Sequence, residues 1–120
     1  MGKILIVDDS RTSRRILKEI ITKAGHEVIG EAVDGEEGYL KYKELRPDLV
    51  TLDITMPKMD GLEALQLIRK EDEKAKIIMI TAAGQKEKMT QAIKYGASEF
   101  LAKPYEAEEV AALIDKVLGA

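Results

Sequence analysis

Residues 4–10 read ILIVDDS, four apolar residues followed by two acids and a serine. A short run that is apolar at every position predicts a strand with both faces covered, because a strand with one wet face alternates with polar residues. The same form returns at residues 77–80, which read IIMI and are followed by Thr81. These two runs predict a sheet that is packed between two layers of helices.

Strand-like runs alternate with amphipathic segments along the rest of the chain. Further strands are predicted at residues 28–32, 49–52 and 100–102. The second helix is predicted at residues 35–45, because the residue before Pro47 disfavours the helical conformation. The fourth helix is predicted to end near Gly96, and the last to begin near Glu106. The apolar positions that define the first and fourth helices are Ile16, Leu17, Ile20, Ile21, Ala24, Met89, Ala92 and Ile93.

Five strands that alternate with five helices imply parallel pairing, because a helical crossover returns the chain to the same end of the sheet. The predicted fold is therefore a doubly wound, flavodoxin-like α/β domain with strand order 2-1-3-4-5. A length of 120 residues fits one domain, assigned to residues 1–120.

Composition excludes several classes of function. The net charge of −3 has the wrong sign for electrostatic binding of nucleic acid. The chain has no Cys, which excludes disulfides and thiolate metal sites, and the one histidine, His26, is expected in a solvated loop. No apolar run is long enough to span a membrane, and no signal peptide is recognised, so the expected location is the cytoplasm.

Five reactive side chains follow the predicted strands directly. Asp8 and Asp9 follow the first strand, Asp53 the third, Thr81 the fourth and Lys103 the fifth. Ligands of open parallel sheets bind beyond the carboxyl ends of the strands, where the strand order switches. We therefore expect these side chains to form one site.

Clustered carboxylates repel one another, and they favour either a shared proton or a bound cation. Oxygen ligands without Cys or His suit Mg²⁺. With the cation in place, one of the carboxylates could attack phosphorus as a nucleophile, while Lys103 and Thr81 stabilise the transferred group.

Each residue also has an ordinary structural interpretation when it is taken alone. Asp8, Asp9 and Ser10 could cap the first helix. Lys103 could be a solvated surface lysine, and Phe100 could fill the core. The joint occurrence of reactive residues at four strand ends favours the functional interpretation.

Four segments resemble the receiver domains of two-component response regulators. They are residues 4–10 (ILIVDDS), 52–61 (LDITMPKMDG) and 78–82 (IMITA), together with the pair Lys103-Pro104. The similarity covers essentially the whole chain, and the chain looks most like single-domain regulators of the chemotaxis type. The resemblance implies that Asp53 accepts a phosphoryl group from a phosphohistidine on a partner histidine kinase.

The resemblance also implies roles for the surrounding residues. Asp8, Asp9 and Asp53 would hold Mg²⁺ together with the backbone carbonyl of Thr55. Lys103 would contact the phosphoryl oxygens, and its bond to Pro104 would be cis. The switch would consist of Thr81, which moves inward on phosphorylation, and Phe100, which shifts with it.

The implied protein is a monomeric signalling switch, a phosphoprotein that is not a turnover enzyme. Phosphorylation would change the surface of the fourth helix, fifth strand and last helix, around Lys86, Met89 and Phe100, where an output protein binds. Neither nucleic acid nor a membrane is an expected partner. Because Ala83 cannot orient a hydrolytic water, we expect a modestly stable aspartyl phosphate.

Two alternatives use related architectures. A haloacid-dehalogenase-like phosphatase also has a nucleophilic Asp with Thr, Lys and Mg²⁺, but it needs a second Asp two residues later, where this chain has Thr55. A flavodoxin-like electron carrier needs a hydroxyl- and Gly-rich phosphate loop after the first strand. Here Asp8 and Asp9 would repel the flavin phosphate.

Overall fold

The computed structural model describes residues 2–82 and 84–119, in which five strands alternate with five helices. The strands are β1 (Lys3–Val7), β2 (Glu27–Ala32), β3 (Leu49–Asp53), β4 (Ile77–Thr81) and β5 (Glu99–Ala102). The helices are α1 (Arg11–Lys23), α2 (Gly35–Leu45), α3 (Gly61–Glu71), α4 (Lys86–Lys94) and α5 (Ala107–Gly119). The five strands and five helices are present as predicted, and each end that the sequence analysis gave lies within two residues of the observed one.

The strands form one parallel sheet in the order β2-β1-β3-β4-β5, which confirms the predicted topology. Val7 pairs with Leu52, and Asp53 pairs with Ile80. The carboxyl ends of β1, β3 and β4 therefore lie side by side. The functional residues predicted at these ends are brought to one edge of the sheet.

Two apolar cores lie on opposite faces of the sheet. Leu5 and Val7 face the core that α2, α3 and α4 cover. Ile4 and Ile6 face the core beneath α1 and α5. Every residue of β3 and β4 is buried, and for β4 this agrees with the apolar run at residues 77–80.

Side-chain caps fix where three of the helices begin. Ser10, Asp34 and Asp60 each accept a hydrogen bond from the backbone N–H three residues later, at the starts of α1, α2 and α3. Helix α2 ends at Leu45 and is followed by its cap residue Arg46, whose φ of 46° is left-handed, directly before Pro47. This confirms the predicted end of α2 at residue 45. Within the described ranges, no helix is long and apolar enough to cross a membrane.

The predicted apolar faces of α1 and α4 are partly wrong. Leu17 and Ile21 of α1 are fully buried, but Ile16 is 45% exposed. In α4, Ala92 is buried and Ile93 is 60% exposed. Adjacent positions on a helix are about 100° apart, so a narrow contact with the sheet covers one of them and leaves its neighbour in solvent.

The expectation that His26 is a solvated loop residue is wrong. His26 is only 9% exposed, and its Nδ1 accepts a hydrogen bond of 2.9 Å from the Gly2 N–H. Its Nε2 lies 2.8 Å from Asp115 Oδ1 on α5 and donates to that carboxylate. The approach of α5, far away in sequence, buries this histidine.

Candidate functional site

The ends of β1 and β3 place three carboxylates together. Ligand oxygens of Asp8, Asp9 and Asp53 all lie within 4.8 Å of one another. Asp8 and Asp53 are buried, whereas Asp9 is exposed. The clustering that the sequence predicted at this sheet edge is therefore present, with one side open to solvent.

Lys103 reaches this cluster from the end of β5. Its Nζ lies 3.4 Å from Asp53 Oδ2 and 3.5 Å from Asp8 Oδ2. The backbone N–H of Lys103 donates to the Thr81 carbonyl at 2.8 Å, which holds the residue beside β4. The bond from Lys103 to Pro104 is cis, as the resemblance implied.

Asp8 is held rigidly but is not fully satisfied. Its Oδ1 accepts the Ser10 N–H at 2.8 Å, and Arg14 donates to its backbone carbonyl at 2.7 Å. Its Oδ2 is buried and has no hydrogen-bond partner among the residues that the structure describes. A buried anionic oxygen without a hydrogen-bond donor is costly unless a cation neutralises it.

The electrostatic environment of Asp53 favours a cation as well. Burial and, to a smaller extent, the negative charge of Asp8 raise the pKa of the Asp53 carboxyl from 3.8 to about 6. The Lys103 ammonium and the Thr55 backbone N–H act against this rise in pKa by donating to the ionised carboxylate. One lysine therefore does not neutralise the cluster of carboxylates.

The donor set fits a hard divalent cation. Three clustered carboxylates supply the oxygen ligands that Mg²⁺ prefers. Asp8 Oδ2, which lies 3.5 Å from Lys103 Nζ but accepts no hydrogen bond from the described residues, is an acceptor that such a cation would satisfy. The described residues thus include a cluster that could hold a metal.

Thr81, Thr55 and Phe100, the other residues predicted to act at the site, differ in how deeply they are buried. Thr81 ends β4 and is 6% exposed, while Thr55 is exposed in the loop that follows β3. Phe100 on β5 is half-buried and packs against the core beside α4. Its packing agrees with the core-filling interpretation and leaves the switch role a prediction. Ala83, on which the phosphoryl lifetime was predicted, lies outside the described residues.

Gly61 has a structural role at the site beyond that of a flexible turn residue. It is the first residue of α3, and its N–H donates to the Ile54 carbonyl at 2.7 Å. A Cβ at this position would lie 2.1 Å from the Asp53 carbonyl oxygen. Only glycine allows the start of α3 to approach the Asp53 backbone this closely.

Sequence reasoning overlooked Gln85, which precedes α4. Its Oε1 accepts the Ala82 N–H at 2.6 Å, and its Nε2 donates to the Thr55 hydroxyl. The available signal was a long amide at a helix start, where a short capping side chain is usual. Its partner in another loop could not be read from local sequence.

Comparison with known proteins agrees with this geometry. The family model described as response regulator receiver domain matches residues 4–115. A protein named Chemotaxis protein CheY from Thermotoga maritima is 52% identical over 118 residues, which cover 98% of either chain. The protein of the same name from Bacillus subtilis is 48% identical over 117 residues, again 98% of each chain.

A solved structure shows the same architecture. A chain of the CheX-CheY-BeF3-Mg+2 complex from Borrelia burgdorferi superposes with a TM-score of 0.91 at 41% identity. The alignment covers 96% of this chain and 87% of that chain. The parallel sheet of order 2-1-3-4-5, the family match and these relatives lead to one assignment. The chain belongs to the response regulator receiver domain family.

Proposed function

We propose that this protein is a phosphorylation-activated signalling switch that accepts a phosphoryl group on Asp53. The observation that carries the proposal is the arrangement at the sheet edge. Asp53 shares a cluster of three carboxylates with Asp8 and Asp9, and the Lys103 ammonium lies 3.4 Å from its Oδ2. About a tenth of the Asp53 side chain reaches solvent, so a phosphodonor can approach one of its oxygens.

The chemistry is a transfer of phosphorus from nitrogen to oxygen. An Asp53 carboxylate oxygen attacks the phosphorus of a phosphohistidine on a histidine kinase, so that the P–O bond forms as the P–N bond breaks. The electron pair of the broken bond returns to the imidazole, which takes up a proton. Positioning and charge stabilisation supply most of the catalysis in such transfers.

Lys103 and Thr81 would stabilise the transferred group. The Lys103 ammonium is placed to contact a phosphoryl oxygen, because it already lies 3.4 Å from Oδ2 of the Asp53 carboxylate. The Thr81 hydroxyl, at the end of the neighbouring strand, would donate to another phosphoryl oxygen. Mg²⁺, held by Asp8, Asp9, Asp53 and the Thr55 carbonyl, would neutralise the charge that gathers on the phosphoryl oxygens.

The modified Asp53 would report its state through an equilibrium between two arrangements. The new anionic oxygens favour the arrangement in which Thr81 contacts them, and Phe100 on β5 would repack with it. The surface that would change is formed by α4, β5 and α5, and it includes Lys86 and Met89. An output protein would bind there, and the switch itself would act as a monomer composed of residues 1–120.

The relatives named as chemotaxis proteins support chemotaxis as the process. The structural neighbour from Borrelia burgdorferi is described with Mg²⁺ and BeF₃, whose tetrahedral adduct with a carboxylate resembles a phosphoryl group. The proposed protein turns over no external substrate, since its own carboxylate is the acceptor. It would work in the cytoplasm, where an ATP-dependent histidine kinase can phosphorylate it again.

The test is intact-mass analysis after incubation with Mg²⁺ and acetyl phosphate. Wild type should gain the mass of one phosphoryl group, and excess EDTA should abolish the gain. Asp53→Asn should gain none, while the matched control Glu44→Gln, which removes an exposed acid on α2, should react like wild type. An unmodified wild type, or equal modification of Asp53→Asn, would exclude Asp53 as the acceptor.

A further inference from the structure

The side-chain amide of Gln85 joins the two loops that border Asp53. Its Oε1 accepts the Ala82 N–H at 2.6 Å in the loop that follows β4. Its Nε2 donates to the hydroxyl of Thr55 in the loop that follows β3. We call these two hydrogen bonds the Gln85 bridge. It spans 30 positions of sequence between Thr55 and Gln85.

Gln85 also occupies the position that begins α4, but it does not cap that helix. Its side chain makes no hydrogen bond to the first turn of α4, in contrast to Ser10, Asp34 and Asp60 at the starts of α1, α2 and α3. Helix α4 therefore starts without the usual side-chain acceptor. The amide is directed to the two loops beside Asp53 instead.

The bridge is connected to the Asp53 carboxylate through Thr55. The Thr55 backbone N–H donates to that carboxylate, and the Thr55 hydroxyl accepts from Gln85. On the other side, Ala82 is the first residue after β4, two positions beyond Ile80, which pairs with Asp53. The Ala82 N–H therefore lies at the same sheet edge as the carboxylate, and it donates its hydrogen bond to Gln85 Oε1.

We propose that the Gln85 bridge stabilises the unphosphorylated arrangement by occupying the Ala82 N–H, and that this donor passes to a phosphoryl oxygen when Asp53 is modified. A phosphoryl group brings three strong acceptor oxygens to the end of β3. A backbone N–H forms a stronger hydrogen bond with a charged acceptor than with a neutral amide oxygen. Release of Gln85 would then free the start of α4 to move with the loop.

This inference rests on the proposed function and adds one residue, outside the carboxylate cluster, that sets the equilibrium between the two arrangements. The bridge opposes phosphorylation, because its hydrogen bond to Ala82 must break first. Its removal should therefore favour the phosphorylated arrangement. The effect of a single neutral hydrogen bond corresponds to roughly a 3- to 10-fold change in affinity.

The experiment compares Gln85→Met with wild type. Methionine keeps the length of the side chain and removes both hydrogen-bonding groups, and Gln85→Ala is a second variant in case methionine disturbs the loop. Gln91→Met, at an exposed position of the same helix, is the matched control. Calorimetry measures the affinity of each protein for BeF₃⁻ in the presence of Mg²⁺, and NMR measures hydrogen exchange of the Ala82 amide without BeF₃⁻.

We expect Gln85→Met to bind BeF₃⁻ about 3- to 10-fold more tightly than wild type, and its Ala82 amide to exchange faster. Gln91→Met should match wild type in both measurements. If wild type binds BeF₃⁻ and both Gln85 variants bind it equally well or more weakly, the proposed role of the Gln85 bridge is refuted. The proposed function is not affected by that result. If wild type neither binds BeF₃⁻ nor gains phosphoryl mass, the proposed function fails and the bridge proposal fails with it.

Discussion

Replacement of Asp53 by asparagine should stabilise the protein at neutral pH when divalent cations are absent. Burial, with a contribution from the charge of Asp8, raises the pKa of the Asp53 carboxyl from 3.8 to about 6. The ionised carboxylate is therefore disfavoured in the folded state. For such a group the free energy of unfolding falls as the pH rises from about 4 to about 6, and it stays low above that range.

The size of the effect follows from the same pKa. At about 1.4 kcal/mol per pKa unit, the change from 3.8 to about 6 corresponds to about 3 kcal/mol of lost stability at pH 7. Asparagine removes the charge but keeps a polar group that must also leave water. We therefore expect Asp53→Asn to raise the free energy of unfolding by about 2 kcal/mol at pH 7.

Urea unfolding followed by far-ultraviolet circular dichroism measures this difference, because the chain has no Trp for fluorescence and urea leaves the charges unscreened. Samples contain EDTA, and Glu44→Gln serves as the control for loss of one exposed acid. At pH 4 the gain should nearly disappear. Added Mg²⁺ should stabilise wild type more than the variant, since a ligand that binds only the folded state adds stability. The reasoning fails if Asp53→Asn is no more stable at pH 7, or if its gain persists at pH 4.

Three further substitutions test the packing. Thr51 is 1% exposed, and its Oγ1 has no hydrogen-bond partner among the described residues. Thr51→Val should therefore raise the free energy of unfolding in urea by about 1 kcal/mol. A loss of stability would show that the hydroxyl does have a hydrogen-bond partner. Gly61→Ala places a Cβ 2.1 Å from the Asp53 carbonyl oxygen. It should lower the free energy of unfolding by about 2 to 3 kcal/mol and slow phosphorylation by acetyl phosphate. A variant as stable as wild type would contradict the close approach of α3 to the Asp53 backbone. His26→Ala removes the hydrogen bonds to Gly2 and Asp115 and should lower the midpoint of thermal unfolding by several degrees. An unchanged midpoint would show that these two contacts do not stabilise the protein.

The order of elements was predictable because it depends on local periodicity. The apolar runs of β1 and β4 required two covered faces, and Pro47 marked the end of α2. The same periodicity could not tell which apolar residue of a helix faces the sheet. Ile16 and Ile93 fit the helical pattern, but a narrow contact leaves both exposed.

The candidate site was predictable in composition and not in geometry. Parallel strands that start at the same end must finish at the same edge, and this rule alone brings Asp8, Asp53 and Lys103 together. The distances of 3.4 and 3.5 Å from Lys103 to Asp53 and Asp8 depend on how the strand ends and loops pack. So does the lack of a hydrogen bond to Asp8 Oδ2 among the described residues.

The sequence by itself determined the alternation of strands and helices, the strand order, and the residue types at the strand ends. These features follow from side-chain periodicity and from the geometry of parallel connections, both of which act over short stretches of chain. The tertiary structure decided the contacts between distant segments, such as His26 with Asp115 and Gln85 with Thr55. Those contacts depend on where whole helices and loops come to rest, and no local pattern encodes the partner of a side chain that lies 30 or 89 positions away.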